Sequence, residues 1–239
     1  MAAQDDAREH EMRLIFNLVE PPDRTRGGLD AQLEMNGEII PFELKSTTND
    51  SFSTVRDFGP DHIEKWKVLH WLFAVYSTDG KTLRHCYYAS PDTMADWVAA
   101  KEQYTRPDFL LAELAPAKLT DDDLTKILGN APTFTVADAK AVMKRQWTAT
   151  RYQESADLPD LGYSRAAMLK VLQERCEYVI LRGSTLNNPH IAESYLAAKT
   201  TPITSNHAAT VRTLVQAYLD GQPGGHQPPI NVLDDDPEI

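Results

Sequence analysis

Asp30, Glu43 and Lys45 are the residues of this chain whose types and spacing could do chemistry together. Two carboxylates held face to face repel each other, and the usual relief is a raised pKa or a bound cation. A pair of carboxylates suits a hard, oxygen-loving ion such as Mg²⁺. An amine two residues along the same strand can orient or help deprotonate the water such an ion holds, or stabilise charge on a phosphate. Everything then depends on whether the chain brings the three groups to one place.

The stretch from Gly28 to Lys45 reads as a β-hairpin that does so. Asn36-Gly37 between two alternating runs is the strongest short-range signal for a two-residue type I′ turn, so Met35 should pair with Glu38. Counting outward, Leu33 faces Ile40, Ala31 faces Phe42 and Leu29 faces Leu44, an apolar face. The opposite face pairs Gln32 with Pro41 and Asp30 with Glu43, and Lys45 joins it because strand side chains repeat every second residue. A one-residue slip would put the acids among the apolar side chains, so pattern and turn select the same register. Asp30 and Glu43 then form a non-hydrogen-bonded pair with Cβ atoms roughly 4.5–5.5 Å apart. Pro41 cannot donate to a ladder, and its missing N–H points away from the Asp30 strand. That side of the second strand should therefore be an edge, a bulge or an interrupted pairing.

Asp30 followed by Glu43-Leu44-Lys45 resembles the Asp…(Asp/Glu)-x-Lys pattern of the PD-(D/E)xK nuclease superfamily, and the chain is most similar to a small type II restriction endonuclease. Leu29 stands where the motif's name has Pro. The resemblance implies an α/β fold with a restriction-endonuclease-like core: an N-terminal helix, a mixed β-sheet containing the hairpin, and flanking helices. It also implies Mg²⁺, for which Mn²⁺ can substitute, with a metal set of Asp30, Glu43 and Leu44, Lys45 as a catalytic group, and double-stranded DNA as substrate. In that family an N-terminal helix often brings a glutamate near the metal. Residues 4–19 read as an amphipathic helix with Ala7, Glu11, Leu14, Ile15 and Leu18 on one face, ended by Pro21-Pro22, which makes Glu11 the third acidic candidate.

The length of 239 residues suffices for one good core with an appendage. No apolar run is long enough to span a membrane and the N-terminus lacks a signal-peptide pattern, so the expected location is the cytoplasm. Cys86 and Cys176 form no Cys-x-x-Cys pair and are expected to be small buried hydrophobes. The net charge of −11 argues against a protein that coats nucleic acid non-specifically. A sequence-specific enzyme needs only a locally positive groove. Four of the acids, Asp234, Asp235, Asp236 and Glu238, lie in a Pro/Gly-rich end.

Three domains of behaviour are expected: a catalytic core over 1–90, a helical region packed on it over 91–220 for DNA recognition and dimerisation, and a flexible acidic tail over 221–239. Within the core, Arg24 and Arg26 form a basic approach to the first strand. After Lys45 comes a loop rich in hydroxyls and amides, where Ser46, Thr47, Thr48 and Arg56 are candidate DNA contacts. A helix over 60–70 starts at Gly59-Pro60, turns Ile63 and Trp66 inward, and leaves His62 and Lys65 on one face for phosphates. Strands over 71–77 and 83–89 follow around Asp79-Gly80, the first apolar throughout and therefore central. Further helices are expected over 92–103, 107–114, 121–128, 136–147, 164–181 and 206–219, with Thr120 and Ser164 as N-caps. Lys140, Lys144 and Arg145, with Arg151, make the most basic stretch, a candidate for the DNA backbone. Arg182, Asn187 and Asn188 sit in a loop whose side chains suit base edges.

The function expected is a sequence-specific endonuclease hydrolysing DNA phosphodiesters, acting as a homodimer because two-fold symmetry in a protein mirrors that of a palindromic site. The alternatives are a structure-specific repair or phage nuclease on the same core, and a non-catalytic DNA- or protein-binding module in which Asp30, Glu43 and Lys45 are a surface ion cluster. No Gly-rich phosphate loop, His-Glu-x-x-His helix or Gly-x-Ser-x-Gly elbow is present.

Overall fold

The computed structural model describes residues 2–22, 28–54, 59–184 and 188–221, with side chains from Asp6 onward. Helix α1 (Ala2–Phe16) leads into the hairpin β1 (Ala31–Met35) and β2 (Glu38–Thr47), followed by β3 (Ser51–Ser53), α2 (Pro60–Trp66), β4 (His70–Tyr76), β5 (Leu83–Ala89) and α3 (Pro91–Leu114). Then come α4 (Asp121–Leu128), β6 (Thr133–Phe134), α5 (Val136–Val142), α6 (Ala149–Glu154), β7 (Tyr163–Ser164) and α7 (Arg165–Gly183). The last elements are β8 (His190–Ala192), α8 (Glu193–Lys199) and α9 (His207–Gly221). The described residues fall into two compact units: those up to Glu102 together with 188–221, and those from Gln103 to 184. The helical region expected over 91–220 thus divides, because β8, α8 and α9 belong with the hairpin and its neighbours.

In the first unit a mixed four-stranded sheet runs in the order β1-β2-β4-β5. The hairpin keeps the predicted register, Met35 opposite Glu38, Leu33 opposite Ile40 and Ala31 opposite Phe42. Asn36 and Gly37 both have positive φ, 56° and 82°, as a type I′ turn requires. β2 pairs in parallel with β4 from Phe42↔His70 to Thr47↔Val75, and β4 pairs antiparallel with β5. Pro41 lies one residue before the parallel pairing begins, so its missing N–H costs no ladder bond. Every residue of β4 is buried, in keeping with its central place.

The two sheet faces are covered by different elements. On one, Ala31, Leu33, Ile40, Phe42, Leu44, Leu72, Ala74 and Cys86 pack with Met12 and Phe16 of α1 and Val211 and Val215 of α9. Burial in this core pushes the Cys86 thiol up to about 12; Cys176, on α7, is only half-buried. On the other face Trp71 and Phe73 meet Trp66 of α2, Trp97 of α3 and Phe52 of β3, with ring centroids 4.9–6.2 Å apart. Aromatic contacts of this kind add to the area they bury. β3 pairs with β8, a ribbon that brings distant parts of the chain together. No run of alternating residues announces it, since each strand is three residues long.

Helix α1 departs from the sequence reading in its inward face and its end. Met12 and Phe16 are fully buried whereas Leu14 is 66% exposed. The helix ends at Asn17, in the left-handed conformation at φ 51°, with the Leu18 N–H donating to the Arg13 carbonyl at 2.9 Å. That is a Schellman-type stop, four residues before the first proline. Leu18 is therefore buried from outside the helix and carries no information about its face. Next, Val19 exchanges both backbone bonds with Gln32 on the outer side of β1.

In the second unit α4, α5, α6 and α7 enclose a core of Leu124, Phe134, Met143, Trp147, Tyr152, Tyr163, Met168 and Val171. Thr120 and Thr135 each form a reciprocal capping box with the aspartate three residues on, and Ser164 caps α7 as predicted. The helix expected over 136–147 stops at Val142, because Lys144 and Arg145 both take positive φ, 54° and 62°. A single helix α3 occupies the span expected to hold two, and it accommodates Pro107 in its interior. Among the described residues, no helix is long and apolar enough to cross a membrane.

Candidate functional site

Asp30, Glu43 and Lys45 do converge, by a different route from simple strand pairing. The ladder of β1 ends at Ala31, so Asp30 and Leu29 are not paired with Glu43 and Leu44 as strand residues. Instead the Asp30 side chain takes over the next bond: the Leu44 N–H donates to Asp30 Oδ2 at 2.9 Å. The chain from Gly28 to Asp30 is held from two directions. Arg13 Nη1 donates to the Asp30 carbonyl at 3.3 Å, and Lys65 Nζ donates to the Gly28 carbonyl at 2.7 Å. A short stretch with no ladder of its own is thereby fixed by side chains from α1 and α2.

Glu43 and Lys45 project from β2 on the face that carries Trp71 and Phe73, since they pair with these residues in the parallel register. Lys45 Nζ lies 2.6 Å from Glu43 Oε1, 3.5 Å from Asp30 Oδ2 and 3.1 Å from the Leu44 carbonyl oxygen, to which it donates. One ammonium thus sits at the meeting point of three oxygens. Burial works against its charge, but the carboxylates of Glu43 and Asp30 outweigh that and hold Lys45 protonated above the usual lysine range. Glu43 is pushed up from the ordinary carboxylate range by burial and by Asp30, against the pull of Lys45. With Nζ 2.6 Å from Oε1, the ionised pair is the state the geometry supports.

Three residues that the sequence reading did not assign here complete the electrostatics. Lys65, expected on a phosphate-facing helix surface with His62, turns into the site; burial lowers its pKa while Glu43 and Asp30 oppose the shift. Glu9, not Glu11, is the α1 acid that adds to the field at Lys45. Arg13, buried, stands 4.0 Å from Glu9 and 3.6 Å from Glu20. Glu11 accepts a hydrogen bond from Tyr76 Oη at 2.9 Å, and Tyr76 belongs to the sheet face opposite Glu43 and Lys45. The error follows from the helix face: placing Met12 and Phe16 inward, as their size would have suggested, brings Glu9 and Arg13 alongside the site.

Among the expected DNA contacts, Thr47 is buried and its hydroxyl lies 2.7 Å from the Ser51 carbonyl, bracing the turn into β3. It is a structural group there and is not available to a ligand. Ser46 and Thr48 are half-buried. His62 packs edge-on against Trp66. Asn188 donates to Ser53 Oγ at 3.0 Å, and Arg182 donates to Tyr178 Oη at 2.7 Å. In the second unit Lys140, Arg145, Trp147, Ala149 and Tyr152 line an open cavity of about 330 Å³, with Lys144 exposed nearby in sequence. Arg151 stacks over Trp147 and pairs with Glu174 at 2.6 Å. Arg24, Arg26, Arg56, Asn187 and the tail over 222–239 lie outside the described residues.

Among the described residues no group of three or more His, Cys, Asp or Glu side chains is placed to hold a metal ion. The donors that do converge are two carboxylates and a backbone carbonyl, an all-oxygen set of the kind a hard cation takes, with water completing its shell. No protein-family model matches the chain, and no curated protein is significantly similar to it.

Proposed function

We propose that this chain is a metal-dependent endonuclease that hydrolyses phosphodiesters of double-stranded DNA at a specific sequence. The observation that carries this reading is the convergence of Asp30 Oδ2, Glu43 Oε1 and the Leu44 carbonyl on one cationic centre, on β2 where it pairs in parallel with β4. The order of helix, hairpin, helix and two strands around a mixed sheet agrees with the restriction-endonuclease-like core that the Asp…Glu-x-Lys pattern implies. Asp30, Glu43 and the Leu44 carbonyl would hold Mg²⁺ or Mn²⁺, which when bound supplies charge neutralisation at the phosphate and a more acidic water. Lys45 donates to a non-bridging phosphate oxygen and stabilises the charge that develops there. Arg13 and Lys65 keep the chain at Asp30 in place. Recognition of a palindrome calls for a homodimer, working in the cytoplasm.

A second reading, a non-catalytic binding module, is favoured by one observation: Lys45 already neutralises Glu43 at 2.6 Å, as a structural ion pair does. Incubating the protein with phage DNA and Mg²⁺ and separating the products on a gel decides between them. Discrete bands support the site-specific nuclease, a smear supports a nuclease of different specificity, and intact DNA supports the binding module.

A further inference from the structure

We propose that Lys45 is a resident occupant of the cation seat, so that a divalent ion enters only as the lysine ammonium leaves. This rests on the reading that Asp30 and Glu43 hold a divalent ion, and adds to it the order of events at the site. The three oxygens expected to bind the metal are the same three that Lys45 Nζ contacts, at 2.6, 3.1 and 3.5 Å. Mg²⁺ requires oxygens at about 2.0–2.1 Å in a near-octahedral shell. An ammonium within 3.5 Å of all three oxygens fills that volume and repels the ion. The seat is prebuilt, because the Leu44 N–H fixes the Asp30 carboxylate, Lys65 holds the Gly28 carbonyl and Arg13 holds the Asp30 carbonyl. Lys65 Nζ donates to the Gly28 carbonyl at 2.7 Å. It contributes positive charge near Glu43 and Asp30.

The consequence is a coupling between metal and substrate. In the free protein Lys45 neutralises the carboxylates and the ion binds weakly. A phosphodiester presented beside β2 offers the ammonium another anion, and the flexible four-carbon stem of lysine lets Nζ swing to it. That move frees the oxygens, so DNA and the divalent ion each raise the other's affinity, as linkage requires.

The test uses the full-length protein, Mn²⁺ as the probe, and two independent readouts. Calorimetric titration of the wild type, Lys45→Met and Lys65→Met measures affinity. Acylation of lysine amines in the wild type, followed by mass spectrometry with and without Mn²⁺, measures whether Lys45 is released. The expected result is Mn²⁺ binding at least about tenfold tighter in Lys45→Met, the scale of one charge-assisted hydrogen bond lost by the competitor. Lys65→Met should shift it far less, and Lys45 acylation should rise as Mn²⁺ saturates. Equal shifts in the two variants, or a Lys45 that stays protected at saturating Mn²⁺, overturn the proposal while leaving the metal site standing. Absence of any Mn²⁺ binding in both wild type and Lys45→Met removes the metal site, and the proposal with it. Should Lys45→Met not fold, the acylation of the wild type decides alone.

Discussion

The Leu44 N–H donates to the Asp30 carboxylate at 2.9 Å, so this side chain does the work of a backbone carbonyl at the end of the hairpin ladder. Asp30 therefore has a structural duty beside its chemical one. Asp30→Ala leaves a part-buried N–H without its acceptor, which costs about 1–3 kcal/mol. Asp30→Asn keeps an acceptor oxygen while removing the charge. In chemical denaturation Asp30→Ala should be clearly less stable than the wild type and Asp30→Asn closer to it. Equal stability of all three would mean that water replaces the carboxylate at Leu44 without loss.

The inward face of α1 makes a second prediction. Phe16→Ala removes a fully buried ring and should destabilise by about 3–5 kcal/mol, whereas Leu14→Ala, at an exposed position, should stay within about 0.5 kcal/mol. The reverse order in thermal melts would restore the face that includes Glu11.

His70 gives a pH dependence. Its ring is fully buried against Tyr88, with Nδ1 2.7 Å from Tyr88 Oη, and burial lowers its pKa to about 3. Between that value and the ordinary 6.5 the unfolded chain takes up a proton that the folded chain refuses. Stability therefore falls as pH drops through this window, at up to about 1.4 kcal/mol per pH unit. The lowered aspartates at 121, 123 and 157 add a fall of the same sign at lower pH, nearer their own range. From pH 6.5 to 5 these aspartates contribute little, and comparison with His70→Phe separates the histidine from Glu43, whose raised pKa acts with the opposite sign. Denaturation midpoints for His70→Phe should be flatter than wild type across that interval, and parallel slopes would assign the proton elsewhere.

How far the sequence foretold this arrangement can be traced residue by residue. The hairpin register was legible because two independent signals, the Asn36-Gly37 turn and the apolar alternation, demanded it. Where the ladder stops was not, since that depends on Arg13 and Lys65 reaching in from other elements to hold Asp30 and Gly28. The α1 face is ambiguous in sequence because Ile15 belongs to both candidate stripes, and Leu18 extends the wrong one although the helix ends before it. Lys65 reads as a surface lysine because nothing local reveals that α2 brings it to the Gly28 carbonyl. The β3–β8 ribbon pairs Phe52 with Ile191, a contact that no local pattern encodes. His70 reads as the end of a helix, but it opens β4, whose apolar run begins one residue later.

Cleavage of DNA by the wild type and Asp30→Asn, side by side with Mg²⁺, tests the central claim most directly, because the substitution removes a carboxylate while retaining an acceptor for the Leu44 N–H. The wild type should convert phage DNA to discrete fragments, and folded Asp30→Asn should be slower by at least about 10²-fold, the scale of a lost electrostatic group. Intact DNA with the wild type, or equal cutting by the two proteins, would contradict the account.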